Sequence, residues 1–464
     1  MHRRQFLALT AVSAAGLSAV GAAPLRAATL GASPLRLATR TVPAPTAALV
    51  SRWDADPWSR GSYSALGKGC SPSVRAVLAN ALIGGRVALA GEYASTTFPA
   101  TANGAYSSGI ASAQRLLDRA NPRRAIVVGA GIAGAAAART LVDAGVSVTV
   151  LEARDRVGGR IFSDSRWGTP VEMGAAWIHG TGGNPLVPLA QSARLRLVPT
   201  DYSNEVIRDT VTGRESGQAD AADTRLVDLT DELADLESPP SLTVAAWLSG
   251  HGWRPDRFGQ WAQAVEVTQE YGLDPSLLSA GALQEGAEPR GGDVLVGGGF
   301  AAIPQQLLSG IEVRLSTPVL QVTAAGGSVT VRTGGAHLTA DAVVVAVPVA
   351  VLQAGSPAIS GMPTAVRTAL RSLSTGSLEK VVLRYDEQWW GSEQVIGVVG
   401  GGVPGAPSGS LAALRWTEYY SLTDLVGFPT LVGFSGGLAA RSRPTSDPAC
   451  TNEAVSALAA AFRE

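Results

Sequence analysis

Three glycines have the spacing of a turn that holds the phosphates of a dinucleotide. In "VVGAGIAG" (127–134), Gly129, Gly131 and Gly134 follow an apolar strand and open an alanine-rich helix that begins around Ala133. The first glycine permits a sharp turn, the second lets the backbone approach a pyrophosphate, and the third lets helix and strand pack closely. The N-terminus of the helix attracts the anion. The stretch therefore predicts dinucleotide binding, and the alternative is a tight turn with no ligand.

An acid ends the next strand, "SVTVLEA", where dinucleotide-binding proteins use one to bind ribose. Glu152 is placed to accept hydrogen bonds from a ribose 2′-hydroxyl, and it would repel a 2′-phosphate. NADP is therefore disfavoured. Ala153 and Arg154 follow directly and belong to the same predicted binding segment.

Beyond the acid, "RVGGR" (156–160) resembles the second fingerprint of FAD enzymes. Gly158 and Gly159 would let the backbone run along the cofactor, with Arg160 near its phosphates or flavin. Further stretches, among them "VEMGAAWIHGTGGNPL" (171–186), "GGDVLVGGGFAAIPQQL" (291–307) and "LEKVVLRYDEQWW" (378–390), extend the match over nearly the whole chain after residue 46. Together they resemble the flavin-containing amine oxidases, which include polyamine oxidases, monoamine oxidases and histone lysine demethylases.

The order of segments differs from that family. "VSRWDADPWSRGSYS" (50–64) and "GEYASTTFPATANGAYSSG" (91–109) look like segments that close a family chain, yet here they precede the glycine turn, and no second copy follows residue 390. We interpret this as a circular permutation, which chain termini lying close together make feasible. The family's closing helix, here about 104–119, would pack beside its opening strand at 125–128.

The resemblance implies an α/β fold with two domains. A Rossmann-like FAD-binding domain is expected at 84–200 and 290–360. A substrate-binding domain, with a mixed sheet and helices, is expected at 47–83, 201–289 and 361–464.

The resemblance also carries cofactor roles onto particular residues, with Val319 and Ala102 acting through backbone groups. The predicted cofactor-binding residues are Gly129, Gly131, Ala133, Gly134, Glu152, Ala153, Arg154, Gly158, Gly159, Arg160, Val319, Gly91, Glu92, Thr101 and Ala102. Monoamine oxidases bind FAD covalently through a cysteine just before an aromatic-cage tyrosine. Here Ser62 stands before Tyr63, so non-covalent FAD is expected.

Four residues are expected on the substrate side. Tyr63 would form one wall of an aromatic cage for an amine, and Thr101 takes the place of a second aromatic, so the cage is one-sided. His179 lies where polyamine oxidases use a histidine near the amine, and Trp390 or Trp389 would line the flavin or the pocket. The alternatives are a core tyrosine, a structural histidine and core tryptophans.

One position departs from the family pattern. Many relatives carry a lysine that holds a water against the flavin, and Val366 stands there instead. Either this protein has no side chain that holds such a water, or the neighbouring Arg367 takes the place of the lysine. Lys380 lies in a predicted strand and is expected to be structural.

The composition excludes several kinds of partner. A formal net charge of −1 leaves no basic surface for nucleic acid or an anionic membrane. The four histidines and two cysteines, Cys70 and Cys450, have no metal-ligand spacing. The sequence leaves two alternatives: the cysteines form a disulfide with each other, or both are unpaired thiols.

The first 28 residues are typical of an export signal. Arg3 and Arg4 precede an apolar run shorter than the ~20 residues that span a bilayer, and "RRQFL" resembles a twin-arginine signal. Residues 29–46 are interpreted as a linker, and a periplasmic or extracellular protein without a membrane span is expected.

The expected reaction is FAD-dependent oxidation of a small amine, with imine hydrolysis and reoxidation by O2 to give H2O2. The alternative is a flavin-fold protein without this activity, either a desaturase acting on C–C bonds or a binding module. "GFSGG" (433–437) formally satisfies a hydrolase motif, but no histidine follows Ser435 as that motif requires.

Overall fold

A computed structural model describes residues 42–403 and 405–463 of the chain. The predicted signal at 1–28 and the linker up to residue 41 lie outside the described residues. Among the helices described, none is long and apolar enough to cross a membrane.

A six-stranded sheet, which we call the parallel sheet, contains the strand before the glycine turn. Its strands pair in parallel except for the last two, which form a hairpin. In order across the sheet they are Glu312–Arg314, Ser147–Leu151, Arg124–Val128, Ala342–Val345, Val87–Leu89 and Leu82–Ile83. The central strands are buried, as their apolar sequences predict.

The helix Ala102–Ala120 packs against the helix Ile132–Asp143, which follows the glycine turn. Their close approach depends on Gly109, where a Cβ atom would lie 2.1 Å from the carbonyl oxygen of Ala133. The first helix ends at Asn121, which adopts a left-handed conformation (φ +41°), and the strand Arg124–Val128 begins three residues later. Residues 91–120 are therefore an integral part of the parallel-sheet layer.

A second six-stranded sheet, which we call the antiparallel sheet, is antiparallel except for its last pair of strands. In order its strands are Ala47–Val50, Leu378–Arg384, Thr430–Gly436, Glu418–Ser421, Val395–Val399 and Glu205–Asp209. Side chains alternate between its faces. Tyr419 packs toward the C-terminal helix Asp447–Ala461, whereas Tyr420 packs on the opposite face with Phe434.

Smaller sheets connect these layers. One consists of Arg196–Pro199, Val294–Gly297 and Trp177–Ile178, and another of His337–Ala340, Ser328–Thr333, Val319–Ala325 and Ala358–Ile359. Two pairs are Leu373–Gly376 with Tyr63–Leu66, and Ser163–Asp164 with Val171–Glu172.

The remaining helices surround these sheets. The α-helices are Ser73–Ala79, Leu186–Ser192, Gly217–Ala234, Val244–Gly250, Arg257–Ala262, Ala302–Leu307, Val349–Gln353, Thr364–Ser372, Thr423–Val426 and Gly437–Arg441. The short 3-10 helices are Glu92–Ala94, Ala280–Gln284 and Leu411–Leu414, and Gln263–Gln269 is a π-helix.

The two large sheets draw their strands from different parts of the chain. Apart from Leu82–Ile83, the parallel sheet uses the segments predicted for the FAD-binding domain, and the antiparallel sheet uses those predicted for the substrate-binding domain. The domain boundaries themselves stay a prediction.

Candidate active site

A cavity of about 510 Å³ has walls from both large sheets. Most of the residues predicted for the site line it. They are Tyr63, Gly91, Glu92, Thr101, Ala102, Gly129, Gly131, Ala133, Glu152, Ala153, Arg154, Gly158, Gly159, Arg160, His179 and Val319. Gly134 and Trp390 do not line it.

The three glycines of the turn have the distinct environments that their spacing predicts. Gly129 has φ +103°, and a Cβ atom there would lie 2.7 Å from the carbonyl oxygen of Ala346. At Gly134 a Cβ atom would lie 1.9 Å from the carbonyl oxygen of Gly129, so this glycine permits helix and strand to pack. A Cβ atom at Gly131 would meet only one atom, 3.9 Å away, because that side faces the cavity.

The acid after the second strand is held by backbone groups. Glu152 is 6% exposed, and its two carboxylate oxygens accept hydrogen bonds from the N–H groups of Ala130 (2.7 Å) and Arg154 (2.8 Å). The side chain of Arg154 itself binds Asp56 (2.8 Å) and Ser59 (2.7 Å). Glu152 thus fixes the glycine turn while it lines the cavity.

The glycine pair of "RVGGR" lies directly against the glycine turn. Gly158 and Gly159 have φ +99° and +59°, and Gly158 forms a β-bridge with Gly131. A Cβ atom at Gly158 would lie 2.5 Å from the carbonyl oxygen of Ile161. Both positions therefore require glycine.

The segment that precedes the glycine turn in sequence reaches the same cavity. Glu92 is 4% exposed and accepts hydrogen bonds from Arg160 (3.0 Å) and from the Ser64 hydroxyl (2.5 Å). Thr101 caps the helix that starts at Ala102, because its hydroxyl accepts from the N–H of Gly104 at 3.1 Å. The predicted neighbourhood of Glu92, Ala102 and the glycine turn is therefore observed.

Tyr63 lines the cavity and is fixed at its hydroxyl. That hydroxyl donates to the carbonyl oxygen of Gln269, the last residue of the π-helix. Burial, together with the charge of Glu270, raises the pKa of Tyr63 well above its usual value. Tyr63 therefore offers a neutral aromatic ring.

His179 faces the cavity, with 44% of its side chain exposed, and its Nδ1 lies 2.8 Å from Oδ2 of Asp293. Asp293 was not among the predicted site residues, although it lies within the quoted stretch 291–307. The signal that could have identified it is its position directly before a buried strand.

An aromatic group that was not predicted from the sequence lies at the antiparallel-sheet end of the cavity. The ring centroid of Trp177 lies 5.2 Å from that of Tyr420 and 5.9 Å from that of Phe434. Lys380 lies beside them, and its Nζ donates to the carbonyl oxygens of Glu172 (2.9 Å) and Gly174 (2.6 Å). These hydrogen bonds agree with a structural lysine, but Lys380 also lines the cavity. Burial lowers its pKa to about 8.

Comparisons with known proteins identify the family. The family model for flavin containing amine oxidoreductases matches residues 29–117 and 132–464, and a model for pyridine nucleotide-disulphide oxidoreductases matches residues 86–171. The chain belongs to the flavin-containing amine oxidase family. It is 29% identical to probable polyamine oxidase 4 of Arabidopsis thaliana, over 70% of this chain and 69% of that protein.

More distant relatives agree with this assignment. Human lysine-specific histone demethylase 2 is 27% identical over 73% of this chain and 44% of its own length. Cyclohexylamine oxidase from Brevibacterium oxydans has the same fold, with a TM-score of 0.58 and 23% identity over 72% of this chain and 79% of that one. The structure of putrescine oxidase bound to putrescine also has this fold, with a TM-score of 0.57 and 21% identity over 74% of this chain and 81% of that one.

As a member of this family, the protein is an FAD-dependent amine oxidase, and its residues fit the cofactor. The helix Ile132–Asp143 points its N-terminus at the cavity, where it favours phosphate. Gly131 leaves room for close approach of a ligand, and Glu152 supplies an acceptor for a ribose hydroxyl. These groups would hold the dinucleotide part of FAD.

Four further glutamates line the cavity. Glu266 and Glu418 are 5% and 4% exposed, and Glu270 follows the π-helix. Glu285 also lines the cavity but is paired with Arg75 at 2.5 Å. Glu288, three residues further along the chain, is exposed and outside the cavity.

The prediction that Trp390 lines the site is wrong. Trp390 is fully buried among apolar side chains beside the C-terminal helix, with ring centroids 5.5 Å from Trp389 and 5.8 Å from Tyr385. Trp389 packs on Phe462 in the same core. These residues lie beyond the end of the strand Leu378–Arg384, in a segment that packs with the C-terminal helix on the face of the antiparallel sheet opposite Tyr420 and Phe434.

The suggested substitute for the missing lysine is also wrong. Val366 is buried in the helix Thr364–Ser372, and the guanidinium of the neighbouring Arg367 donates to the carbonyl oxygen of Met362, outside the cavity. Ser435 lies in a fully buried strand, which agrees with the rejection of a hydrolase site. Cys70 and Cys450 are free, so the open question of a disulfide is resolved against it.

Proposed function

We propose that this amine oxidase acts on small amines that carry a second ammonium group, as polyamines do. The carboxylates of Glu266, Glu270 and Glu418 line the cavity, and this acidic wall is the observation that carries the proposal. Opposite charges in a partly enclosed site bind strongly because water screens them poorly. The names of its relatives, polyamine oxidase and putrescine oxidase, support the same substrate class.

FAD, when bound, would supply the acceptor for a hydride from the carbon beside the amine nitrogen, and O2 would be the oxidant that regenerates the flavin. The protein's part is to bind and orient the amine. The ring of Tyr63 offers a face that attracts an amine or its cation, and His179 offers an imidazole nitrogen to it. Glu270 lies close enough to both to raise the pKa of Tyr63 and of His179. An amine bound between these groups would have its second ammonium group near the acidic wall.

The flavin in this proposal is not covalently attached. Ser62 precedes Tyr63, and its hydroxyl donates to the carbonyl oxygen of Leu378 at 2.8 Å and accepts from the Leu378 N–H at 2.9 Å. A serine held in this way offers no thiol for attachment to the flavin.

The proposal includes a circularly permuted chain. It is supported by the three-residue connection between Asn121 and Arg123, which joins the helix Ala102–Ala120 to the strand Arg124–Val128. It is also supported at the two ends of the described chain. Val42 packs against a core that contains Phe462 of the C-terminal region, and Arg52 pairs with Asp447 at 2.7 Å.

Export through the twin-arginine pathway is part of the proposal and rests on "RRQFL" alone. A fusion of residues 1–46 to a reporter tests it, because export that depends on Arg3 and Arg4 is expected.

An anaerobic panel of amines tests the substrate class. The purified protein is expected to be yellow and to release its flavin on acid precipitation. Diamines and polyamines are expected to bleach the flavin absorbance at lower concentrations than monoamines of the same chain length. Equal bleaching by the two groups would contradict the role of the acidic wall, and a colourless protein purified under native conditions would contradict the whole proposal.

A further inference from the structure

We propose that Asp293 is a positioning residue for His179, and that it fixes the tautomer and the charge of the imidazole that faces the cavity. The effect on catalysis rests on the proposed function, because it requires His179 to contact the amine. The effect on the imidazole itself requires no substrate.

The strand register brings the two residues together. Ile178 pairs with Val294 in an antiparallel ladder, so His179 and Asp293 lie opposite each other just beyond the paired residues. The chain then turns sharply at Gly180 (φ +63°), where a Cβ atom would lie 2.4 Å from Cβ of Pro289. The turn directs the Gly180 N–H to Oδ1 of Asp293 at 2.9 Å.

Three donors surround the carboxylate of Asp293. Its Oδ2 lies 2.8 Å from Nδ1 of His179 and accepts from the Tyr202 hydroxyl at 3.0 Å, while Oδ1 accepts from Gly180. The side chain is only 6% exposed, and Asp293 lines the cavity beside the imidazole. An ionised carboxylate can only accept hydrogen bonds. Nδ1 of His179 must therefore carry a proton, which leaves Nε2 as the nitrogen that can bind or release a proton.

The same contacts set the charge. Burial acts to raise the pKa of Asp293, but the hydrogen bonds from His179, Gly180 and Tyr202 hold it below its usual value. Burial acts to lower the pKa of His179, but the hydrogen bond and charge of Asp293 raise it above its usual value. Asp293 thus favours the imidazolium form.

Other charged groups of the site act on His179 less directly. Glu270 lies on the π-helix side and also raises the pKa of His179. Tyr202 is a neutral donor to Asp293, and Lys380 is a cation in the wall of the same cavity. Of these groups, only Asp293 forms a hydrogen bond to His179 in the described part of the chain.

The arrangement assigns a proton transfer to Nε2. Most amines enter a site as ammonium ions, and the nitrogen lone pair must be free before hydride can leave the adjacent carbon. Neutral His179 can take this proton at Nε2: the substrate N–H bond breaks, the Nε2–H bond forms, and the amine becomes neutral. The imidazolium that results is stabilised by the carboxylate of Asp293, as carboxylates do for other catalytic histidines.

His251 differs from His179 in the partner of its Nδ1 atom. Its Nδ1 lies 2.8 Å from the carbonyl oxygen of Trp247, and its ring stacks on that tryptophan, with no carboxylate partner in the described structure. His251 is therefore an internal reference for a histidine without this device.

Titration of the histidine ring protons by NMR in the FAD-bound protein tests the inference without substrate. The His179 signal is assigned by its loss in H179Q. We expect D293N to lower the pKa of His179 by about one unit or more, and D293E to restore part of the shift. Y202F removes a donor that competes with His179 for Oδ2 of Asp293, so it is expected to raise the pKa of His179. The matched control is D274N, which removes a half-buried carboxylate outside the cavity.

Steady-state kinetics complete the test. The acidic limb of the kcat/KM profile is expected to move to lower pH in D293N, with KM changing less than kcat, and to stay in place in D274N. An unchanged His179 titration in D293N would overturn the inference, whatever the substrate panel shows. If D293N fails to fold, the same decision rests on Y202F and D293E, because a purely structural Asp293 would not move the pKa of His179 in folded protein.

Discussion

The two sides of the cavity are made of different parts of the chain. On the parallel-sheet side, the wall includes backbone at Gly129, Gly131, Gly158 and Gly159, and all of these except Gly131 have a positive φ that favours glycine. On the antiparallel-sheet side, the wall consists of side chains, such as those of Tyr420 and Phe434. A wall made of backbone suits FAD, the group that all members of the family bind. A wall made of side chains can be altered by substitutions, so it can differ between members that act on different amines.

The largest effect is expected from filling the glycine turn. G134V should abolish flavin binding, because a Cβ atom at Gly134 would lie 1.9 Å from a backbone oxygen that cannot move aside. G131V should lower flavin affinity with little change in folding, since its side chain would project into the cavity. The ratio of flavin to protein absorbance and the thermal midpoint of the apoprotein measure the two effects separately.

G217A is the control for these variants, because nothing lies within 4 Å of a Cβ atom there. Retention of full flavin by G134V would mean that the backbone wall does not depend on its glycines. The distinction between a wall that depends on glycine backbone and a wall that depends on side chains would then be wrong.

The backbone wall could be predicted because it is local. Its turns require glycine at fixed spacing, and Glu152 ends a strand one crossover later, so all the information lies within 125–160. Glu92 could also be predicted from a local stretch, because residues 91–109 resemble a segment that closes a chain of this family. At Gly129, Gly158 and Gly159 the residue type follows from the positive φ of the backbone.

The side-chain wall could not be predicted in this way. Asp293 meets His179 only through a strand register, and Lys380 meets Glu172 only because two sheets pack together. The error at Trp390 has the same cause, since a sequence does not state which face of a sheet is covered by the C-terminal helix. Tertiary packing decides these positions.

Lys380 is the strongest test of that packing. Burial lowers the pKa of Lys380 from 10.5 to about 8, so between these values the unfolded chain binds more protons than the folded chain. The free energy of unfolding should therefore rise as pH increases through this interval, by roughly 3 kcal/mol in all. K380M should lack this rise.

Urea unfolding at about pH 7 and about pH 10.5 measures the effect. The matched control is K68M, because Lys68 is exposed and is the other lysine of the chain. If K380M and the wild type keep the same pH dependence, the ammonium group is better solvated than its position in the wall implies.

A smaller effect is expected at the acidic wall. E270Q should raise KM for a diamine about ten-fold, since a hydrogen bond to a charged group contributes about 1.5–3 kcal/mol, and should change KM for a monoamine much less. E288Q is the control, as Glu288 is exposed outside the cavity. Equal changes for both amines would place Glu270 near the reacting nitrogen, and no change would remove it from substrate binding.

The smallest effect on activity is expected at Trp390, where the first interpretation of the sequence and the structure disagree. W390F should lower the thermal midpoint by opening a cavity in the core, at a cost of about 1–3 kcal/mol, and should leave kcat and KM unchanged. The indole N–H has no hydrogen-bond partner in the described structure, so its loss breaks no such contact. W177F is the informative counterpart, because Trp177 is also aromatic but lines the cavity and should change KM. A change of kcat in W390F with an unchanged midpoint would restore Trp390 to the active site and would show that the two faces of the antiparallel sheet are not independent.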